Sequence, residues 1–309
     1  MFDKRPRWEY DKRKIAAQSC KGGVFTENIA YYNGRISSIE DMRVPMNDRA
    51  CYFADGVYDA AFAMNRVPLA LDDHLRRFYR SARKVDIEIP MPFEELRRLA
   101  CDLCAKVDSP SAFLYMQVTR GVGMRGHAYR FAGEKPSLWL WVRAEEFDPL
   151  DRDYRCITLP DTRYLHCDIK TLNLLPNVMA AQRALEAGCD ETIFHRDGRV
   201  TECAHSNVHI LTGGACVTAP LDNLILPGVT RAHLLNICRE MGIPVQERPF
   251  TLEEMMAADE VFFTNCGSLC CRIAEIDGKR VGGRARGTLD AVAQAMWAEA
   301  VREAERGAP

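Results

Sequence analysis

Residues 188–219, GCDETIFHRDGRVTECAHSNVHILTGGACVTA, set four short apolar runs between turn-forming residues. The runs at 192–195 and 200–202 flank Asp197-Gly198, a dipeptide suited to the positive φ angles of a two-residue hairpin. Those at 207–212 and 215–219 read as a further strand pair. Upstream, 177–187 has helical spacing and stops at Gly188, the residue type that most often ends a helix. Downstream, 230–241 is a helix closed by Gly242 in the same way. Strands framed by helices predict an α/β or α+β fold and exclude a pure bundle or sandwich.

Working outward, Asn33-Gly34 between runs at 28–32 and 35–39 is a second hairpin signal. A strand is expected at 57–64, and Asp72 as the cap of a helix reaching about Val85, with Leu75, Phe78 and Ala82 on one face. A second helix covers 93–107, followed by strands at 112–119 and 137–145. Pro149 and the charged stretch 148–155 suit an interdomain linker. The chain thus divides into an extension at 1–25, a smaller domain at 26–148 and a larger one at 149–309. The larger domain adds strands near 156–159 and 260–265 and ends in an amphipathic helix at 288–305.

A chain of 309 residues can bury two cores, and 47% hydrophobic with 27% charged residues is an ordinary globular balance. The net charge of −2 offers no basic field to nucleic acid or to an anionic membrane. No apolar run approaches the roughly 20 residues of a membrane span. The charged N-terminus has no signal-peptide pattern, so a cytoplasmic protein with reduced thiols is expected. Its 13 cysteines show no framework spacing. Cys101 and Cys104 form C-x-x-C on an expected helix, but no second pair completes a zinc site, so these read as buried thiols and no metal is expected. A small-molecule partner is the expectation.

Gly121-Val-Gly-Met-Arg-Gly126 matches the dinucleotide-binding pattern after a strand. The ten residues that follow contain Gly133 and Pro136 and run into another strand, which leaves no room for the helix such a site needs. Lys170, in CDIKTLNLLPN (167–177), has Ile169, Leu172, Leu174 and Leu175 around it. Desolvation favours the neutral, nucleophilic amine that Schiff-base chemistry requires.

CDIKTLNLLPN, GCDETIFHRDGRVTECAHSNV (188–208) and LILPGVTR (224–231) together resemble the fold-type IV pyridoxal-phosphate enzymes, most closely D-amino-acid aminotransferases. FADGVYDA (53–60), DHLRRFYRSA (73–82) and QVTRGVGMRGH (117–127) extend the resemblance over most of the chain. It implies two domains, the smaller one N-terminal, with pyridoxal 5'-phosphate between them, in a homodimer. It implies that Lys170 carries the cofactor as a Schiff base and that Glu202 pairs with the ring nitrogen. Arg77, Leu226, Val229, Thr230, Asn265 and Cys266 would complete the cofactor site, with helix-start amides at Val229 and Thr230 as phosphate donors. Tyr58, Arg125 and His127 would bind the substrate α-carboxylate, the arginine as a planar fork. The implied reaction is a ping-pong transamination from a D-alanine-like donor to a 2-oxo acid such as 2-oxoglutarate. A branched-chain L-aminotransferase or an aminodeoxychorismate lyase on the same fold is the alternative, and a non-enzymatic cofactor-binding protein the remote one. Two departures stand out: Asn265-Cys266-Gly267 where the family carries hydroxyl residues, and His205 in a stretch that is usually small and serine-rich.

Overall fold

The computed structural model describes residues 26–133 and 135–307, so the expected extension at 1–25 lies outside the described residues. The first sheet is built from β1 (Asn28–Tyr32), β2 (Arg35–Ser37), β3 (Gly56–Met64), β4 (Val67–Pro68), β5 (Ser111–Thr119) and β6 (Ser137–Ala144). Its order is β2-β1-β6-β5-β3-β4 and all pairings are antiparallel. Asn33 and Gly34 take φ of 44° and 95°, as the first hairpin requires. A short helix α1 (Arg49–Phe53) precedes β3.

Strand alternation gives this sheet two different faces. One face turns Val57, Ala61, Leu114 and Leu140 against α2 (Leu71–Lys84) and α3 (Phe93–Ala105), where Leu75, Phe78, Leu96 and Leu103 are fully buried. Each such large side chain contributes about 1.5–3 kcal/mol by leaving water. The other face stacks Tyr58 on Tyr115 and Tyr115 on Trp141, with ring centroids 5.5 and 5.1 Å apart.

The start of α2 corrects the sequence reading. Its N-cap is Ala70, at φ 48° and without a side-chain cap; Asp72 lies inside the first turn. The Asp72 carboxylate accepts instead from Arg97 Nε of α3 at 2.8 Å, and the Ala70 amide donates to Glu303 at 2.9 Å.

The second sheet collects β7 (Tyr154–Pro160), β8 (Glu191–Arg196), β9 (Arg199–Cys203), β10 (Asn207–Thr212), β11 (Ala215–Thr218), β12 (Val245–Glu247), β13 (Glu260–Thr264), β14 (Cys271–Ile276) and β15 (Lys279–Arg280). Its order is β12-β11-β10-β13-β14-β7-β8-β9, with β15 on β14. Three pairings are parallel, β11 with β12, β14 with β7 and β7 with β8. Helix α4 (Leu175–Glu186) connects the last pair, and α5 (Val229–Glu240) and α6 (Leu252–Ala257) follow. Helix α6 is too short for periodicity to reveal, although its Thr251–Glu254 capping box is written in the sequence. Helix α7 (Arg286–Gly307) returns to the first sheet, where Ala300 and Ala304 pack with Met64 and Leu69.

The glycine-rich loop after β5 holds one short 3-10 turn, Tyr129–Phe131, and no crossover helix. A Cβ on Gly121 would meet the Lys135 carbonyl at 2.2 Å, and one on Gly123 the Phe131 carbonyl at 2.1 Å. These glycines let backbone pack on backbone; they do not cradle a phosphate.

Candidate active site

Only Ala63 and Met64 at the C-terminal end of β3 pair with β4, so the earlier part of that edge is left open. The segment carrying Lys170 docks there: the Tyr58 amide donates to the Lys170 carbonyl (2.9 Å) and the Leu172 amide to the Gly56 carbonyl (3.1 Å). This bridge joins the two halves of the molecule and aims Lys170 along the aromatic face, its Nζ 3.3 Å from the Tyr58 hydroxyl. Tyr58, Arg77, Lys170, Glu202, Leu226, Val229, Thr230, Asn265 and Cys266 all line one cavity of about 880 Å3, open mouth included. Arg125 and His127 do not line it. They lie in the loop after β5, where the Arg125 guanidinium sits 5.4 Å from the Phe53 ring centre and the His127 ring 5.0 Å from it.

Glu202 closes one end of the cavity. Its Oε1 accepts from Arg163 Nη1 at 2.5 Å; its Oε2 accepts from Asn207 Nδ2 at 3.0 Å and the Leu226 amide at 2.9 Å. Burial pushes its pKa above the usual carboxylate value, against the opposing charge of Arg163. Arg163 is itself forked onto Asp161, with bonds of 3.0 and 2.9 Å. Asp161, Arg163 and Glu202 therefore form one buried chain of alternating charge, in which every carboxylate has a donor.

The other end is cationic. Arg77 of α2 makes a bidentate pair with Asp59, at 2.8 and 2.7 Å, and His74 Nδ1 shares Asp59 Oδ1 at 2.8 Å. Burial works to raise the Asp59 pKa, but the charge and hydrogen bonds of Arg77 outweigh it and hold the group far below its ordinary value. Burial keeps His74 below the ordinary imidazole pKa. Beside them α5 begins at Gly228, whose first-turn amides have no partner within the helix. A Cβ at Gly228 would strike Asn207 Oδ1 at 2.0 Å, so only glycine lets this helix start against the residue that holds Glu202. The departure at Asn265 is structural: its Oδ1 accepts the Gly267 and Ser268 amides at 2.9 and 2.8 Å. Burial pushes the Cys266 thiol up, against the charges of Lys170 and Arg77, so it stands at the cationic end as a protonated, weak donor.

Sequence reasoning missed Asp59, His74, Asp161, Arg163 and Asn207. Asp59 and His74 lay within quoted motifs, and an acid inside the apolar run GVYDAAFAM was a usable signal. Arg163 had none, because its partners Asp161 and Glu202 meet only through the sheet.

Residues 56–276 match the family model described as amino-transferase class IV. A D-alanine aminotransferase of Bacillus licheniformis is 36% identical over 260 residues, 84% of this chain and 92% of that one. Another from Listeria innocua serovar 6a is 38% identical over 264 residues, 84% of this chain and 91% of that one. Among solved structures, a branched-chain aminotransferase from Thermoproteus uzoniensis superposes with a TM-score of 0.80 at 25% identity, covering 90% of this chain and 96% of that one. A fold IV transaminase from Curtobacterium pusillum gives 0.74 at 25% identity, covering 84% and 92%. The expected fold-type IV architecture is thereby borne out, and the chain belongs to the class IV aminotransferases.

Proposed function

We propose that this aminotransferase uses pyridoxal 5'-phosphate and exchanges amino groups between a D-alanine-like donor and a 2-oxo acid such as 2-oxoglutarate. The observation that carries the reading is the three-part cavity: an amine at Lys170, a buried carboxylate at Glu202, and a cationic end at Arg77 and the start of α5. Those parts fit a flat, ring-protonated molecule with an aldehyde and a phosphate. When bound, the cofactor supplies the carbonyl that takes up the amino group and a ring that accepts the electron pair left at the substrate α-carbon.

The residues of the chain do the rest. Lys170 Nζ would hold the cofactor at its aldehyde carbon, and the same amine is placed to move the proton at the substrate α-carbon. Glu202 keeps the ring nitrogen protonated, and Arg163 and Asn207 fix the carboxylate that does so. Arg77 and the first-turn amides of α5 neutralise the phosphate. Tyr58 flanks the amine and meets the substrate.

The D-preference rests on the relatives named D-alanine aminotransferase and on the Arg125–His127 pair. Neither residue lines the cavity of its own chain, so a second copy is needed to bring them to it. The surrounding loop offers apolar side chains to such a contact: Met124 is 76% exposed and Tyr129 54%. We read the protein as a homodimer, with the two sheets as cores of the domains meeting near residue 148. A reducing, cytoplasmic setting accords with the free thiols of all described cysteines.

A visible spectrum of the purified protein with pyridoxal phosphate tests the proposal, before and after D-alanine or L-alanine. The expected result is a cofactor band that D-alanine alone converts to the amine form. Conversion by L-amino acids alone would replace this reading with the branched-chain one, which the structural neighbour from Thermoproteus uzoniensis favours. No band at all would overturn the cofactor assignment.

A further inference from the structure

The turn between β9 and β10 carries a residue the reaction above does not use. His205 lines the same cavity as Lys170, with its side chain 63% exposed. Its Nδ1 stands 2.9 Å from Oε2 of Glu191, a carboxylate only 2% exposed. Glu191 is itself anchored: Oε1 accepts the Thr192 and Ala204 amides at 2.8 and 3.2 Å, and Oε2 accepts from Ser206 Oγ at 3.2 Å. The ring is thus oriented by a fixed acid, and its Nε2 has no polar partner among the described residues. A carboxylate on Nδ1 also favours the doubly protonated, cationic ring.

The other cations of the cavity are committed. Arg77 is paired with Asp59, Arg163 with Asp161 and Glu202, and Arg231 with Glu247 and the Ala219 carbonyl. Lys170 is occupied by the cofactor chemistry. His74 is buried against Asp59, so His205 is the basic side chain lining the cavity, among the described residues, that remains for a substrate side chain.

We propose that His205, oriented by Glu191, receives the distal carboxylate of dicarboxylic substrates, an acidic amino acid and its 2-oxo acid, and so sets the side-chain class the enzyme accepts. The assignment rests on the transaminase reading and names its acceptor class. A charge-assisted hydrogen bond is worth about 1.5–3 kcal/mol, or roughly a 10- to 150-fold preference over a monocarboxylate of similar size.

The pH dependence follows from the groups that face the ring. The protein crowded around the ring works to lower its pKa, but the charge and hydrogen bond of Glu191 on β8 outweigh that; Lys170 opposes and Asp148 assists. The net shift is upward, so the cation is present below the raised pKa and lost as pH rises through it. Dicarboxylate binding should weaken over that range while monocarboxylate binding stays level.

The test is calorimetric titration of the cofactor-loaded protein with glutarate and, separately, butyrate, in wild type, His205→Ser and His205→Arg. Steady-state ratios for 2-oxoglutarate against pyruvate accompany it. Expected are a wild-type preference for glutarate that falls about 10- to 150-fold in His205→Ser. His205→Arg should retain the preference but lose its dependence on pH. An unchanged ratio in His205→Ser overturns the proposal. So does an equal loss for both ligands, which would mean that His205 positions the cofactor. Failure of the wild type to turn over any amino donor would sink the transaminase reading instead, and the calorimetry would still decide the role of His205.

Discussion

The two ends of substrate handling are built in opposite ways. Around Glu202 both carboxylate oxygens are buried and partnered within one chain, by Arg163, Asn207 and the Leu226 amide, with Arg163 braced in turn by Asp161. The loop with Arg125 and His127 is exposed and meets α1 through Phe53 and Arg49, outside the cavity. The difference teaches where each kind of specificity is stored. Holding the cofactor rewards a rigid, desolvated network, whereas on the proposed reading the substrate α-carboxylate is left to a surface that a second copy would have to bring to the site.

Four experiments break or sharpen that contrast. The largest effect is expected at the buried end. Glu202→Gln keeps the shape and two of the hydrogen bonds but removes the charge, and should lower kcat by about 10²- to 10³-fold, as loss of one preorganised electrostatic group does. Cofactor retention and the melting temperature should change far less, as absorbance and thermal melts would report. An undiminished kcat would mean the network is only structural.

A smaller effect is expected at the loop. Arg125→Ala should cost about 1.5–3 kcal/mol in kcat/KM for D-alanine, roughly 10- to 150-fold, with the cofactor still bound. Mixing Lys170→Ala and Arg125→Ala chains tests the second copy directly. Hybrid dimers have one site with an intact lysine and a partner arginine, so activity should recover to roughly a quarter of wild type. No recovery after verified subunit exchange would place the arginine in its own chain's site and end the contrast.

The smallest effect concerns Asp72 on α2, the helix that carries Arg77. A true N-cap would cost about 1 kcal/mol on removal. Asp72 supplies only a first-turn charge and an exposed pair with Arg97, so Asp72→Ala should cost less than that and leave KM unchanged. A loss near 2 kcal/mol in denaturant melts would show that the helix start is tied to the buried end after all.

Most of the fold was legible because its elements announce themselves locally. Asn33-Gly34 and Asp197-Gly198 close hairpins with positive φ, and Gly188 and Gly242 follow helices at φ of 69° and 73°. What escaped was short or depended on packing: α1, α6 and the choice of Ala70 over Asp72 as a helix start. The second case shows why. Arg97 of α3 and Glu303 of α7 compete for the groups that a local rule assigns to the cap. In the site, nine expected residues meet at one cavity. Arg163 went unnoticed because a buried ion of this kind is recognisable only beside its partners, whereas Asp59 carried a local signal, an acid inside an apolar run.

By itself the sequence determined the alternation of strands and helices, the turn chemistry, and the ordered motifs around Lys170, Glu202 and Arg77 that mark the family. These are properties of neighbours along the chain, where spacing and side-chain type suffice. Only the tertiary structure decided that the Lys170 segment docks on the open edge of β3, that Glu202 is braced by Arg163, that His205 leans on Glu191, and that Arg125 stands apart from its own cavity. None of these follows from neighbours along the chain, because the energy of such contacts exists only once the sheets have brought the charges out of water and within reach.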